Sequence, residues 1–457
     1  MNSMLLRGGR VIDPANDFEG DADVLVRDGI IEAVDEPGQV GAPEGVPIID
    51  VAGLWVLPGL IDPHVHLRDP GFPQKETIAT GLRAAAAGGF TSVAAMANTS
   101  PVDDSPEIAR YMLDRAREVH ATRLIPVSAV TKGLKGTELV DLAAMAEVGA
   151  RLFSDDGIPI DDPVILSRAL DELARLNFAV SLHEEDRHLS EEGAANAGEV
   201  SKRLGVKGYP NSAETARMRR DLALAIGTEA PVHIAHLSCA ESVELVRHAR
   251  RNGANVTCEV TPHHFWLDDR AILEWGPNAK MNPPLRDERD RAAIRAAMAD
   301  GSIDMIATDH APHDPASKNL ELLAGCFPIH SGHLQDDAAN AFMHAANGII
   351  GLETSLGLAL ALVHEKIISP RRLVEMMCAN PARLLRLEAG ALSPQMTADV
   401  TIVDPNFEWT VEPAKFLSKS CNTPFAGMRL RGKAILTIVG GEIVYDARND
   451  TQGAARG

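Results

Sequence analysis

A chain of 457 residues, 45% hydrophobic and 24% charged, has the composition of a folded globular protein and the length for one large domain plus a small one. Its formal net charge of −20 argues against nucleic acid or an anionic membrane as the main partner, while leaving room for a small anion at a locally positive site. No apolar run reaches membrane-spanning length, and the start, Met1-Asn-Ser-Met-Leu-Leu-Arg-Gly-Gly9, lacks a secretory apolar core. The five cysteines (Cys239, Cys258, Cys326, Cys378, Cys421) are scattered without a Cys-x-x-Cys pair, so a reduced, cytoplasmic setting and no thiolate metal site are expected.

In chain order, residues 1–56 carry short strand patterns at Met4–Leu6, Val11–Ile12, Ala22–Arg27, Ile30–Val34 and Pro47–Val51. Asp28-Gly29 is placed to turn a hairpin between the third and fourth. The C-terminal end repeats this character at Ala398–Val403 and Ala434–Tyr445, so residues 1–56 and 388–457 are expected to form one small composite β domain. The middle, 57–387, alternates differently. Apolar strand-like runs occur at Leu57–His66, Phe90–Asn98, Arg123–Thr131, Arg151–Asp156, Asn177–His183, Pro231–Leu237, Asn255–Thr261 and Ser302–Asp309. Helical patterns lie between most of them, at Pro106–Val119, Thr137–Val148, Pro163–Leu176, Ala213–Ile226, Ala240–Asn252 and Glu288–Ala299. Eight β-then-α units predict an α/β fold of the (β/α)8 barrel type.

Polar residues fall at the ends of those runs. His64 and His66 end the first, Asn98 the second, Asp155 and Asp156 the fourth, His183 the fifth, His236 the sixth and Asp309 the eighth. An isolated His-x-His is more often a buried hydrogen-bonded pair than a ligand set. In a barrel, however, the C-terminal strand ends share one mouth, where distant residues converge. Along an extended chain His64 and His66 face the same way. Histidines with carboxylates and no thiolate favour Zn²⁺ or a similar divalent ion, and two ions fit if one carboxylate bridges them. Such ions polarise a carbonyl and lower the pKa of bound water from about 15.7 towards about 7. Asp309 is placed to move a proton there, as a ligand at the same time. Arg68 shares the parity of the two histidines; if the extended course persists, its guanidinium reaches the mouth and can clamp a carboxylate. Asn98, Asn282 and His313 are further polar residues at loop positions, where each is as well suited to cap a turn as to touch a ligand.

The motifs Pro58-Gly-Leu-Ile-Asp-Pro-His-Val-His-Leu-Arg68, Phe153-Ser-Asp-Asp-Gly157, His183-Glu-Glu-Asp186, His236-Leu-Ser238, Asn282-Pro-Pro-Leu-Arg286 and Thr308-Asp-His-Ala-Pro-His313 resemble those of the amidohydrolase superfamily, and within it the bacterial class I dihydroorotases. The resemblance extends to Asn380-Pro-Ala-Arg383 and Ser418-Lys-Ser-Cys-Asn-Thr-Pro-Phe-Ala-Gly427. It implies a zinc site, of one or two ions, made by His64, His66, Asp156, His183, His236 and Asp309. By family position Asp156 is the bridge; strand parity leaves Asp155 open. It further implies reversible cyclisation of N-carbamoyl-L-aspartate to L-dihydroorotate and water, the third step of pyrimidine biosynthesis. Arg68, Asn98 and His313 match positions that hold the substrate carboxylate, Asn282 matches another substrate contact, and Asp309 matches the proton-transferring aspartate. A homodimer, and association with aspartate transcarbamoylase, also follow from the resemblance.

Two alternatives stand beside this expectation. Dihydropyrimidinases, hydantoinases and allantoinases usually carry a carboxylated lysine at the bridging position, whereas the fourth run here has Asp155-Asp156-Gly157 and no lysine. Inactive dihydroorotase-like scaffolds for aspartate transcarbamoylase typically lose the metal ligands, and this chain keeps them. One departure from the family pattern is the long segment Ala316–Asn347 before Gly351-Leu-Glu-Thr354. It contains Gly325-Cys-Phe-Pro-Ile-His-Ser-Gly332 and a helical pattern over Gln335–Ala346, and it is expected to be an insertion over the mouth. Its histidines, His330, His333 and His344, are expected at the surface or in packing.

Overall fold

A computed structural model describes residues 2–319 and 334–448. At its centre stand eight parallel strands: β1 (Leu60–Val65), β2 (Phe90–Ala95), β3 (Arg123–Ser128), β4 (Leu152–Phe153), β5 (Ala179–Leu182), β6 (Val232–Ile234), β7 (Val256–Val260) and β8 (Met305–Ile306). Each pairs with the next in chain order, and a parallel bridge from Val65 to His310 joins the eighth position back to the first. This is the expected (β/α)8 barrel, with one strand inside each of the eight apolar runs.

The helices after successive strands are Ile78–Ala87, Pro106–Val119, Leu142–Val148, Pro163–Leu176, Asn211–Ala225, Ala240–Arg251, Glu288–Ala299 and Ser355–His364. Their ends follow from local chemistry. Asp162 accepts the Val164 amide while Pro163 opens the first turn, and Asn177 closes the helix at φ 60°. Asp287 accepts the Asp290 amide in the same manner, a cap worth about 1 kcal/mol. The helix expected from Thr137 begins instead at Leu142, because Asp141 caps it and the preceding residues run extended, with Val140 N–H on Val130 O and Lys132 N–H on Glu138 O. Ile78–Ala87 and Ser355–His364 lie outside the helical patterns of the sequence. Both are buried on most sides, so neither has the polar face that makes a helix visible as a stripe.

Strands from both ends of the chain share a second sheet. Its order is Glu442–Asp446, Arg429–Val439, Val400–Thr410, Trp55–Pro58, Met4–Asp13, Phe18–Arg27, Ile30–Asp35, with Ile48–Asp50 also beside Met4–Asp13. The hairpin turn has Asp28 at φ 51° and Gly29 at φ 82°, the two positive values of a type I′ turn. The run Leu57–His66 divides at Pro58: Trp55–Pro58 pairs with Val400–Val403, and Leu60 onward enters the barrel. Gly59 makes the crossing, where a Cβ would lie 2.1 Å from the Thr91 hydroxyl.

Residues 320–333, and with them Cys326, His330 and His333, lie outside the described residues. The helix expected at Gln335–Ala346 spans Leu334–His344, and His344 is exposed in its last turn. Buried Lys280 donates to the carbonyls of Met343 (2.7 Å) and Ala345 (2.6 Å), tying the end of that helix to the barrel. Among the described residues no helix is long and apolar enough to cross a membrane.

Candidate metal centre

His64 and His66 do share a face. The His64 amide donates to Asp62 Oδ1 (3.1 Å), which also accepts the Thr308 amide (3.1 Å), so one buried carboxyl registers the end of β1 against the chain leaving β8. Burial, only partly offset by these bonds, pushes Asp62 up to about 7. His64 Nδ1–H donates to Glu259 Oε1 at 2.7 Å, and His66 Nδ1–H donates to Asn98 Oδ1 at 2.9 Å. Each imidazole thereby spends Nδ1 on its supporting oxygen and turns Nε2 to the barrel mouth, where it serves as a ligand once its proton gives way to a cation.

Asp156 meets those lone pairs. His64 Nε2 lies 3.5 Å from Asp156 Oδ1, and His66 Nε2 lies 3.5 Å from Oδ2. Asp309 Oδ1 stands 3.0 Å from His66 Nε2 and 3.6 Å from His64 Nε2. On the other side, His183 Nδ1 is 3.7 Å and His236 Nε2 3.9 Å from Asp156 Oδ1, with 2.9 Å between the two ring nitrogens. The donor atoms of His64, His66 and Asp156 lie within 4.8 Å of one another, as do those of Asp156, His183 and His236. Asp156 belongs to both trios. Asp155 points elsewhere: it accepts the amides of Val130 (2.8 Å) and Thr131 (3.0 Å) and the Thr131 hydroxyl, and pins that loop.

The donor set fits a divalent cation. His64 Nε2 and Asp156 Oδ1 are buried without a hydrogen-bond partner, an arrangement that costs about 1–3 kcal/mol per group unless a cation completes it. Facing nitrogen and carboxylate lone pairs need a positive centre between them, and shared Asp156 allows two. The electrostatics agree. Burial opposes charge throughout, yet Asp156 and Glu259 hold His64 well above the ordinary imidazole value, and His64 and His183 hold Asp156 well below the usual carboxylate range. Asp309 is likewise depressed against burial, by His66, His64 and His236. His236, buried beside two other imidazoles, is pushed down to about 3.

Arg68, Asn98, Asn282 and His313 line a cavity of about 280 Å³ over the same cluster. Arg68 reaches it by a different route from the one expected: the extended course ends at Arg68 itself, at φ 60°, and Nε donates to Pro312 O at 3.3 Å. Burial lowers its pKa to about 10, so it stays charged at neutral pH. His313 Nε2–H donates to Asn347 O at 2.7 Å, which leaves Nδ1 as a buried, unpartnered acceptor. Burial and nearby Arg68 push His313 down to about 2, so its ring is neutral. Asn282 Nδ2 donates to Glu185 Oε2 (3.0 Å), and Asn282 Oδ1 is buried and unpartnered. His236 (φ 29°) and Asp309 (φ 46°) join Arg68 in the left-handed region, strain of order 1–3 kcal/mol each that collects at this mouth. A second cavity, about 320 Å³, opens at the opposite pole beside the strand starts Ala179 and Val232, away from every one of these groups.

Two supporting carboxylates escaped the sequence reading. Glu259 on β7 accepts from His64 through one oxygen and from His233 Nε2–H (3.0 Å) through the other. Glu185 accepts the Ser190 hydroxyl (2.6 Å) and the Asn282 amide. The signal for Glu259 was present: a charged residue inside a buried-strand pattern, between Cys258 and Val260.

A β/α barrel with a histidine–carboxylate cluster at the C-terminal strand ends has the layout of a metal-dependent barrel enzyme, the site lying where such barrels carry their chemistry. Its architecture is shared with L-hydantoinase (dihydropyrimidinase) from Arthrobacter aurescens, at a TM-score of 0.84 and 24% identity over 98% of this chain and 96% of that one. A D-hydantoinase (dihydropyrimidinase) from Thermus sp. gives 0.80 at 24% identity, over 97% and 95%. Residues 53–242 match the family model described as dihydro-orotase-like. The dihydroorotase of Citrifermentans bemidjiense is 47% identical over 97% of this chain and 100% of its own length. That of Desulforapulum autotrophicum is 46% identical over 97% and 99%. The chain belongs to the dihydroorotase family.

Proposed function

We propose that this chain is a metal-dependent cyclic amidohydrolase that interconverts N-carbamoyl-L-aspartate with L-dihydroorotate and water, the third step of pyrimidine biosynthesis. The observation that carries this reading is the conjunction, in one small mouth, of two trios sharing Asp156 with the half-buried cation Arg68. Near full-length identity to curated dihydroorotases supports it. So does an aspartate at the position where hydantoinase-type enzymes are expected to use a lysine.

Zinc suits nitrogen and oxygen donors without thiolate, and we assign His64, His66, Asp156 and Asp309 to one ion and Asp156, His183 and His236 to a second. A bound ion of this kind supplies Lewis acidity towards a carbonyl and acidifies water. The remaining work falls to the chain. Arg68 clamps the substrate carboxylate, and Asn98 and His313 complete its cradle. Asn282 offers Oδ1 to a substrate N–H. In ring opening Asp309 takes a proton from water and delivers it to the departing ring nitrogen; in closure it takes that proton back from the attacking nitrogen. Neutral His313, with its N–H spent on Asn347, must gain a proton at Nδ1 to donate to a carboxylate.

Elemental analysis coupled to an assay with dihydroorotate tests the reading. Ring opening with up to two zinc per chain is expected; turnover of hydantoin or allantoin instead of dihydroorotate would overturn it. We place the enzyme in the cytoplasm. Homodimerisation and association with aspartate transcarbamoylase rest on the family resemblance, and light scattering with and without that enzyme tests both.

A further inference from the structure

Between strands Val400–Thr410 and Arg429–Val439 the chain leaves the terminal sheet and returns across the barrel mouth. Two carboxylates hold this strap. Glu353 accepts the amides of Leu417 (2.9 Å) and Ser418 (3.1 Å). Glu76, fully buried, accepts the Ser418 hydroxyl (2.5 Å) and the Lys419 amide (3.1 Å). The strap delivers Asn422, itself 6% exposed, to the loops beside the cluster. There Asn422 Oδ1 accepts the His313 amide (3.1 Å), and Nδ2 donates to both Ala311 O (3.1 Å) and Gly348 O (3.1 Å). Its carbonyl accepts the Ile350 amide at 3.0 Å.

Those bonds define what the residue does. Residues 311–313 carry the His313 ring and present Pro312 O to Arg68 Nε. Residues 347–348 hold the same ring from its far side, through Asn347 O. One buried amide therefore ties together the two loops that orient His313, and it steadies the carbonyl that aims Arg68. Asn422 touches no metal-binding atom and does not line the cavity. From this geometry we propose that Asn422 is a positioning residue for substrate recognition: a residue of the C-terminal strap that sets the carboxylate cradle of Arg68 and His313 without entering it. The proposal rests on the assignment of that cradle made above.

Losing a buried clamp frees its loops to shift, and because Arg68 and His313 hold the substrate carboxylate and make or break no bond, the loss falls on binding before it falls on chemistry. The test is steady-state kinetics on dihydroorotate for the zinc-loaded full-length enzyme, comparing wild type, Asn422→Ala, His313→Ala and the double variant. For Asn422→Ala, KM should rise roughly 10- to 100-fold with kcat changed much less and zinc content unchanged. In the His313→Ala background the same change should raise KM by a far smaller factor, because the group it positions is gone. Should Asn422→Ala prove insoluble, Asn422→Asp serves. It keeps the acceptor for the His313 amide, sets an anion against the Ala311 and Gly348 carbonyls, and should raise KM with the same loss of additivity. Effects that multiply independently, a kcat defect at constant KM, or loss of zinc would each overturn the positioning role. A wild type inactive on dihydroorotate would overturn the assigned reaction and this proposal with it, so the two failures are told apart.

Discussion

Asp309 carries two duties that pull in opposite directions. It sits 3.0 Å from His66 Nε2, close enough to share a cation with it, and burial works against its charge while three imidazoles hold the charge in place. A carboxylate so held can accept a proton only briefly, which suits a shuttle. Asp309→Asn keeps the volume and removes the acceptor, so turnover should fall by at least about 10²–10⁴-fold while the fold survives; circular dichroism beside the rate checks this, and a near-wild-type rate would refute the role. His313 yields the prediction about pH. Free, it is held near 2 and neutral; an arriving carboxylate raises that value, so binding takes up a proton at pH values between the free and the bound one. Affinity for dihydroorotate should then be greatest at low pH and weaken as pH rises through the raised value. Calorimetric titration in buffers of different ionisation enthalpy measures the uptake. Zero uptake would mean that Nδ1 accepts a substrate N–H instead.

Single elements set the precision of the site. Strand β7 contributes no proposed ligand, yet its Glu259 reaches His64 from 195 residues away and fixes which ring nitrogen turns to the mouth. Glu259→Gln should lower zinc affinity about 10- to 100-fold, read by competition with a chelating dye, while the barrel stays folded; unchanged affinity would show that His64 needs no such partner. The strap plays the matching part on the substrate side. Its two anchors, Glu76 and Glu353, belong to the loop after β1 and the segment after β8, where the barrel ring closes. The terminal sheet is therefore coupled to the mouth by more than adjacency.

Across the whole molecule the cluster should be a source of stability as well as chemistry. Buried carboxylates and facing imidazole lone pairs are poorly matched without a cation, and a ligand that binds only the folded state stabilises it by mass action. At a free concentration of 100 Kd this amounts to about 2.7 kcal/mol per site. Chelation should accordingly abolish ring opening and lower Tm, and added zinc should restore both; a Tm indifferent to chelator would argue that the cluster binds no ion in the folded chain. Such a test suits the intact protein, because the proposed ligands come from the ends of five different strands.

Much of this was legible beforehand. The eight-fold alternation, the hairpin at Asp28-Gly29, the helices opened by Pro106, Pro163 and Glu288, and the polar residues at the strand ends are all local: periodicity, caps and turns act over a few residues and leave a pattern there. Tertiary structure alone decided that Asp156 rather than Asp155 faces the histidines, because the chain bends before Gly157 and parity no longer applies. It alone brought Glu259 to His64, and it alone carried Asn422 across 109 residues to the amide of His313. Contacts between segments so far apart are made by packing, and packing has no period that a sequence can display.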